Sequence, residues 1–280
     1  MIPSTAANAA QIDYWNTVVG RTWAQFQEQL DRQIAPLGLE ALRGLAPLVG
    51  ERVLDIGCGC GQTTLDLAAR VGSAGHVTGV DISEPMLQVA RGREMPRDAA
   101  QVEFLQSDAQ TADLGEGVFD AVFSRFGVMF FSEPPAAFAN LRKALKPGGR
   151  LAFVCWRPYL ENLWMRAPME AAQPFLPPVQ PTDPTAPGPF AFAEPQRVAS
   201  ILRTAGFEDV SIAPFDAMIG GGSIEDTVDL TFRVGPLGSA LREAPDLVPA
   251  VREAVMACLS EYATSQGVLM PAAVWIVLAR

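Results

Sequence analysis

The sequence predicts an α/β fold, in which a mostly parallel sheet carries helices on both of its faces. Short apolar runs alternate with segments of helical periodicity between residues 52 and 156, as expected for parallel strands joined by crossover helices. A glycine-rich turn follows the first run, and an acidic residue ends each of the next two, Asp81 and Asp108. Because ligands bind at the carboxyl ends of parallel strands, these residues mark one edge of the sheet as a binding site.

The N-terminal segment is predicted to be a helical cover. Large apolar side chains, many of them aromatic, recur every three or four residues from residue 11 to residue 34, which is typical of amphipathic helices. Residues 38–49 are predicted to form a further helix that leads into the first strand. We therefore divide the chain into the cover, residues 1–38, and a main domain, residues 39–280.

The main domain is predicted to alternate strands and helices along most of its length. The predicted strands are residues 52–56, 76–82, 102–108, 119–126, 150–156, 209–219 with an interruption at Pro214, and 273–279, with a flexible break at residues 220–222. The predicted helices are residues 63–71, 84–92, 134–145, 163–172, 194–205, 224–234 and 247–262.

Two segments interrupt this alternation. Residues 157–195 contain ten of the 23 prolines, so little regular structure is expected there beyond the helix at residues 163–172. The segment follows the fifth strand on the ligand edge, where it is either a substrate lid or a plain connector, and the lid is favoured. Residues 223–264 are predicted to be a helical insertion that helps to wall the ligand pocket.

The glycine-rich turn has the composition of a small-molecule site. Gly57, Gly59 and Gly61 allow positive φ angles and a close approach of the backbone to a ligand. The free N–H groups at the start of the following helix favour an anionic or nucleotide-like molecule. A dinucleotide fingerprint, GxGxxG, requires a third glycine where this sequence has Gln62, which weakens the pyrophosphate interpretation.

The remaining pattern of Asp55, Gly57 and Gly59 resembles the first motif, DxGxG, of the class I S-adenosylmethionine (SAM) methyltransferases, in particular the small-molecule enzymes of ubiquinone and menaquinone biosynthesis. Further motifs follow in the family's order: the acid ending the second strand, the Asp-Ala pair after the third, FDAVFSRF at residues 119–126 as the fourth strand, and LKPGGRLAFV from residue 145. The resemblance is close over residues 39–156. It implies a Rossmann-like sheet of seven strands, with the last strand antiparallel between strands five and six.

The resemblance implies SAM as the cofactor, S-adenosylhomocysteine (SAH) as its product, and no metal. By this resemblance Asp81 binds the ribose hydroxyls, while Asp108 and Ala109 bind the adenine. The implied cofactor-binding residues are Asp55, Gly57, Gly59, Gln62, Thr63, Asp81, Ile82, Met86, Asp108, Ala109 and Ser124.

The catalytic residues are not defined by a motif. The single histidine, His76, opens the second strand, far from the ligand edge, and is expected to be structural or exposed. The candidates are Tyr14, Arg125 and Tyr159. Arg125 interrupts an apolar stretch, so its guanidinium needs a partner. That partner is either an acidic group of the acceptor or cofactor, or a nearby acid in a structural ion pair.

Composition limits the classes of partner. A net charge of −10 without a basic run argues against a nucleic-acid substrate. No run reaches the ~18 apolar residues of a membrane span, and the N-terminus lacks the pattern of a signal peptide, so we expect a cytoplasmic protein. Cys58 and Cys60 form a possible metal pair, but without a second ligand cluster they are better explained as small buried residues.

The motifs therefore predict a SAM-dependent methyltransferase that moves the methyl group to a small, partly apolar or aromatic acceptor by in-line displacement. One alternative is an NAD(P)-dependent Rossmann oxidoreductase, which would need the glycine that Gln62 replaces. Another is a SAM-binding regulatory protein without activity, which would share the binding motifs and differ only in turnover. The sequence leaves open the acceptor, the methylated atom and the oligomeric state.

Overall fold

The computed structural model describes residues 8–177 and 183–280. The strands are β1 (Arg52–Ile56), β2 (His76–Asp81), β3 (Gln101–Gln106), β4 (Phe119–Arg125), β5 (Leu145–Trp156), β6 (Ser211–Gly222), β7 (Ala263–Thr264) and β8 (Gly267–Ala279). The α-helices are α1 (Ala9–Asn16), α2 (Val18–Gln25), α3 (Gln27–Leu45), α4 (Gln62–Val71), α5 (Glu84–Arg91), α6 (Pro134–Ala144), α7 (Leu163–Ala172), α8 (Pro195–Thr204), α9 (Ile224–Thr231), α10 (Gly235–Glu243) and α11 (Val248–Ser260).

The sheet confirms the predicted α/β fold. Its strand order is β3-β2-β1-β4-β5-β8-β6, with β7 paired to β8 alone. The first five strands are parallel, whereas β8 runs antiparallel between β5 and β6, as predicted for the last strand. The described sheet has one strand more than predicted, because the two-residue strand β7 forms a short hairpin with β8.

The helix α3 differs from its prediction. It runs unbroken from Gln27 to Leu45 with Pro36 inside it, so the predicted division at residue 38 falls within a helix. Proline removes one backbone hydrogen bond and normally favours a break. Here Ile34, Leu37 and Ala41 lie on both sides of Pro36 and are all buried, so packing of one continuous apolar stripe stabilises the helix through the proline.

The last part of the chain corrects three further predictions. Residues 220–222 are not a flexible break: β6 continues to Gly222 and pairs with β8 around a bulge, where Gly220 has φ +127°. Pro214 does not interrupt the strand, since β6 is at the edge of the sheet, where a missing backbone donor is tolerated. The insertion contains three helices where two were predicted: α10 begins with Gly235 and Pro236, and proline is tolerated in the first turn of a helix.

Two hydrophobic clusters hold these elements together. The larger one packs α3, α4, α6 and α8 against the sheet, and its fully buried rings include Phe123, Phe138 and Phe153. The smaller one joins α7, α9, α10 and α11 to the start of β8, around Val228 and Val255. The helices of the insertion therefore pack on one another as well as on the sheet. In the described ranges no helix is long and apolar enough to cross a membrane.

Candidate active site

A cavity of about 310 Å³ lies at the carboxyl ends of the parallel strands. Residues that end or follow β1, β2, β3, β4 and β5 line it, which is the edge predicted from the sequence. Eight of the predicted cofactor residues reach it: Gly57, Gly59, Thr63, Asp81, Ile82, Met86, Asp108 and Ala109. The other three, Asp55, Gln62 and Ser124, lie behind this lining.

The glycine-rich turn after β1 contacts β2 on one side and the segment after β4 on the other. The Gly57 N–H donates to the carbonyl oxygen of Val80 on β2 over 2.8 Å. On the other side, a Cβ atom at Gly57 would lie 2.6 Å from Cα of Gly127, after β4. Gly57 and Gly59 have φ angles of +65° and +54°, in the left-handed region that favours glycine. The turn is therefore fixed in position and can present its backbone to a ligand at close range.

Asp81 ends β2 beside this turn. Its Oδ2 accepts a hydrogen bond from the Gly59 N–H and its Oδ1 accepts one from the Ser83 N–H, both at 2.8 Å. Burial raises the pKa of this carboxyl, and its backbone hydrogen bonds lower that pKa in part. Each carboxylate oxygen can accept a second hydrogen bond, so Asp81 is oriented for a pair of hydroxyl donors in the cavity.

Asp108 follows β3 and is also fixed on both oxygens. Oδ1 accepts a hydrogen bond from the Gln110 N–H, and Oδ2 accepts one from Nδ2 of Asn8, each at 3.0 Å. Asn8, which lines the same cavity, was not found from the sequence. It brings the start of the N-terminal cover onto the residue predicted to bind adenine.

The three residues behind the lining support the turn from beneath. Asp55 is fully buried, and its Oδ2 accepts hydrogen bonds from the hydroxyls of Thr63 at 2.8 Å and Thr64 at 2.7 Å. Ser124 donates to the carbonyl oxygen of Ile56 at 2.7 Å. Gln62 accepts from Arg125. These side chains fix the strand ends, and direct contact of the three with a cofactor is not supported by their positions.

Asp55 should make the stability of the fold depend on pH. Burial raises the pKa of Asp55 from 3.8 to about 6, with one oxygen lacking a partner in the described chain. The folded state thus holds the proton more tightly, and this stabilisation, full below pH about 4, is lost as pH rises through about 6. We expect a loss of about 2 kcal/mol between pH 4.5 and 7.5.

Urea unfolding at these two pH values measures this effect. The difference in unfolding free energy between Asp55→Asn and the wild type should change by that amount in favour of the variant at the higher pH. Glu103→Gln, at an exposed acid on β3, is the control and should show no such change. If the difference in unfolding free energy between Asp55→Asn and the wild type is the same at both pH values, the pKa of Asp55 is not raised in the folded state.

Hydrogen bonds attach the N-terminal cover to the residues that follow Asp81. Asn16, at the end of α1, donates from Nδ2 to the carbonyl oxygen of Ile82 at 2.8 Å and accepts from the Glu84 N–H at 3.0 Å. The Ser83 hydroxyl donates to the Trp15 carbonyl oxygen at 2.7 Å. Tyr14 and Trp15 both line the cavity, as predicted for the cover.

Arg125 lines the cavity but is already paired. Its Nη2 lies 3.2 Å from Oδ1 of Asp31 on α3, and Nη1 donates to Gln62. Arg93 binds the other oxygen of Asp31. Of the two roles considered for Arg125, the geometry therefore favours the structural ion pair. Gly38 permits it, since a Cβ atom there would lie 2.7 Å from Cδ of Arg125.

Tyr159 is placed away from the site. In the described chain it is outside the cavity lining, and its ring packs edge-to-face on Phe190 with ring centroids 5.6 Å apart. Burial raises the pKa of its hydroxyl, so the phenolate that could act as a base is scarcer at neutral pH than in an ordinary tyrosine. Nothing in this position supports a catalytic role for Tyr159.

Aromatic rings form one wall of the cavity. Phe126 stacks on Trp156 with ring centroids 4.2 Å apart, and Trp156 contacts Trp164 at 5.0 Å. Phe126 has a φ angle of +63°, a strained conformation that such sites often contain. Arg233 and Arg242, from the helical insertion, also line the cavity. The sequence offered no signal for them beyond two arginines in a predicted helical region.

The two cysteines of the turn are buried. Burial raises the pKa of Cys58 well above its usual range and that of Cys60 to about 12, so both are thiols at neutral pH. Over residues 8–177 and 183–280 no three His, Cys, Asp or Glu side chains are grouped to hold a metal ion.

Comparison with known proteins bears on this site. A family model described as a methyltransferase domain matches residues 53–149. Nocamycin O-methyltransferase of Saccharothrix syringae is 30% identical over 232 residues, which cover 79% of this chain and 80% of that protein. Aklanonic acid methyltransferase DauC of Streptomyces sp. strain C5 is 36% identical over 118 residues, 42% of this chain and 54% of the relative.

The ubiquinone/menaquinone biosynthesis C-methyltransferase UbiE of Ectopseudomonas mendocina is 34% identical over 148 residues, 51% of this chain and 52% of the relative. The chain thus spans about half the length of DauC and UbiE. Among solved structures, Haemonchus contortus phosphoethanolamine N-methyltransferase 2 has a similar fold, with a TM-score of 0.59 at 17% identity over 99% of this chain and 60% of that one.

The chain belongs to the class I SAM-dependent methyltransferase family. This confirms the family predicted from the motifs, and with it SAM as the cofactor and SAH as the product. The donor set fits that cofactor, because an acid beside the glycine turn and a second acid after the next strand line one cavity. The family leaves no support for the NAD(P)-dependent oxidoreductase.

Proposed function

We propose that this protein transfers a methyl group from SAM to a small acceptor that is partly apolar or aromatic. The proposal is supported by one cavity that is lined by Asp81 and Asp108, the acids proposed to bind the cofactor, and by the aromatic rings of Phe126, Trp156 and Trp164. Its volume, about 310 Å³, is at the lower end of the range for small-molecule pockets. A net charge of −10 supports a small molecule over a nucleic acid.

The named relatives are consistent with such an acceptor. Their names give aklanonic acid, nocamycin and ubiquinone or menaquinone biosynthesis as the chemistry of those proteins. They include both an O-methyltransferase and a C-methyltransferase, so they do not select the atom that is methylated in this protein. A cytoplasmic location stays a prediction from the sequence.

We propose that the residues of the site act by binding, orienting and excluding water. The sulfonium of bound SAM supplies an electrophilic methyl group. Alignment of the acceptor can lower the barrier by ~7–11 kcal/mol, whereas a general base contributes only about 10²–10⁴-fold. Tyr14 is the candidate base that lines the cavity, and its half-exposed position on the cover is compatible with a secondary role.

The proposed lid and insertion have support from their contacts with the cavity. Within the Pro-rich segment, Trp164, Met165 and Pro189 line it, and the Gly188 N–H donates to the Met129 carbonyl oxygen at 3.2 Å. Residues 178–182 of that segment lie outside the described ranges. The domain division at residue 38, the lid at 157–195 and the insertion at 223–264 remain proposals.

The test of the proposed function is SAH formation from SAM with a panel of one- to three-ring aromatic compounds. Methylation of at least one panel member, with no SAH formed in a blank that lacks acceptor, is the expected result. SAM binding without SAH formation on any ring compound would contradict the proposal and favour the regulatory alternative.

Loosening the cover should lower turnover. Asn16→Ala removes both side-chain hydrogen bonds that join the end of α1 to Ile82 and Glu84. We expect kcat/KM to fall by about tenfold, because the acceptor is aligned less well and water enters the site. Thr22→Ala is the control, since the Thr22 hydroxyl bonds only within α2. Equal activity of both variants would show that attachment of the N-terminal cover at Asn16 does not contribute to turnover.

A further inference from the structure

Two arginines of the insertion stand at the cavity without an ion-pair partner. Arg233 follows α9 and Arg242 lies in the last turn of α10, and both are exposed residues that also line the cavity. In the described ranges neither guanidinium forms a salt bridge. Arg125, the third arginine of the lining, is neutralised by Asp31. In the described ranges this acidic chain therefore has two arginines without an ion pair in the lining of one cavity.

The Arg242 side chain is held against the backbone of Arg233. Arg242 donates from Nη1 to the carbonyl oxygen of Arg233 at 3.1 Å and from Nη2 to the Ser239 hydroxyl at 2.7 Å. The backbone between them is tight, because a Cβ atom at Gly238 would lie 2.6 Å from the carbonyl carbon of Arg233. This arrangement reduces the entropy that the arginines would lose on binding a ligand.

Donor groups remain free on both guanidiniums. Each guanidinium has five N–H donors, and the two bonds of Arg242 leave several unused. The guanidinium of Arg233 lies over the ring of Phe26, 5.6 Å from its centroid. Such stacking occupies one face of the guanidinium and leaves its in-plane N–H groups available. Planar N–H pairs of this kind match the two oxygens of a carboxylate.

The acidic residues and the unpaired arginines of the cavity lining come from different elements. The acids Asp81 and Asp108 stand at the cofactor positions, and the aromatic wall carries no charge. Trp164 and Met165 of α7 line the cavity together with Pro236 of α10, so the arginine-bearing segment adjoins the aromatic wall. A ligand that fills the aromatic part and extends to α10 would place a negative group at the two arginines.

We propose that Arg233 and Arg242 bind a carboxylate carried by the aromatic acceptor. This inference rests on the proposed function and assigns it a substrate class, an aromatic carboxylic acid whose acidic group is anchored at α10. The carboxylate orients the ring system in the cavity and takes no part in bond making at the anchoring point. The role first considered for Arg125, contact with an acidic acceptor, thereby belongs to the insertion.

Calorimetric binding in the presence of SAH tests this proposal without requiring turnover. The probes are benzoic, naphthoic and anthracene carboxylic acids, each beside its primary amide. For the ring size that binds best, the wild type should bind the acid about tenfold more tightly than the amide. The double variant Arg233→Met, Arg242→Met should lose this difference, while its affinity for SAH changes by less than about threefold.

Two controls make the result specific. Arg203→Met removes one exposed arginine on α8, away from the cavity lining, and should keep the acid preference. The double variant Arg233→Lys, Arg242→Lys retains the charges but not the planar donor pairs, so it should keep only part of the acid preference. Because both arginines are exposed, the preference should also weaken as salt increases.

The outcomes separate this inference from the proposed function. SAH binding with no acid preference in the wild type, or an acid preference that survives in the double Met variant, would overturn the inference alone. An equal loss of affinity for SAH and for the acid would assign the arginines to the cofactor's carboxylate and also overturn it. A wild type that does not bind SAH would overturn the proposed function and this inference with it.

Discussion

Asp31→Ala is expected to lower the free energy of unfolding by about 3 kcal/mol or more. Asp31 accepts hydrogen bonds from Arg93 and Arg125 at once, and the Asp31 and Arg125 side chains are only 13% and 11% exposed. Removing one partner of a largely buried ion pair leaves uncompensated charge, which typically costs about 3–5 kcal/mol. Gln27 and Gln62 remain as acceptors for the two arginines, so we expect the lower end of that range.

Urea unfolding at neutral pH measures the loss. Glu28→Ala is the matched control, because Glu28 is an exposed acid one turn earlier on α3 that forms no salt bridge in the described chain, and it should change stability by less than about 0.5 kcal/mol. Asp31→Asn retains one acceptor oxygen, so its loss of unfolding free energy should lie between those of Asp31→Ala and Glu28→Ala. If Asp31→Ala is no more costly than Glu28→Ala, the paired network does not hold α3 to the sheet.

Asp81→Ala is expected to weaken SAM binding by about a hundredfold. A hydrogen bond to a charged group contributes ~1.5–3 kcal/mol, and the ribose offers two hydroxyls to this carboxylate. The variant also removes the acceptor for the Gly59 N–H, so some of the loss comes from the glycine turn. Calorimetry gives the dissociation constant, and Glu103→Ala, at an exposed acid on the next strand, should leave it unchanged.

A ligand lacking the ribose hydroxyls separates these two causes. 2′,3′-Dideoxy SAH should bind the wild type weakly, and Asp81→Ala should weaken it further only by the contribution of the turn. If the variant lowers the affinity for SAH and for the dideoxy compound by the same factor, Asp81 does not bind the ribose.

The elements of the main domain could be predicted because their signals are local. Asp81 and Asp108 each follow an apolar run of the sheet, and the alternation of strands and helices places both at one edge. Errors fell where tertiary packing overrides a local signal. A continuous buried stripe joins the helices predicted at residues 11–34 and 38–49 within α3, and α10 forms between the helices predicted at residues 224–234 and 247–262.

The partners inside the site could not be predicted, because they are distant in sequence. Asn8 reaches Asp108 across 100 residues, and Asp31 reaches Arg125 across 94. A lone buried arginine shows that a partner is needed and does not say which acid supplies it. The same limit applies to Arg233 and Arg242, which form no salt bridge within residues 8–177 and 183–280, a fact visible only when the surrounding acids have been placed.

The most direct test of the central claim is a calorimetric titration of the wild-type protein with SAM, beside an identical titration with NAD. We expect saturable binding of one SAM per chain and no measurable heat with NAD, because the acids and the glycine turn fit the cofactor of the methyltransferase family. Saturable NAD binding without SAM binding would contradict it.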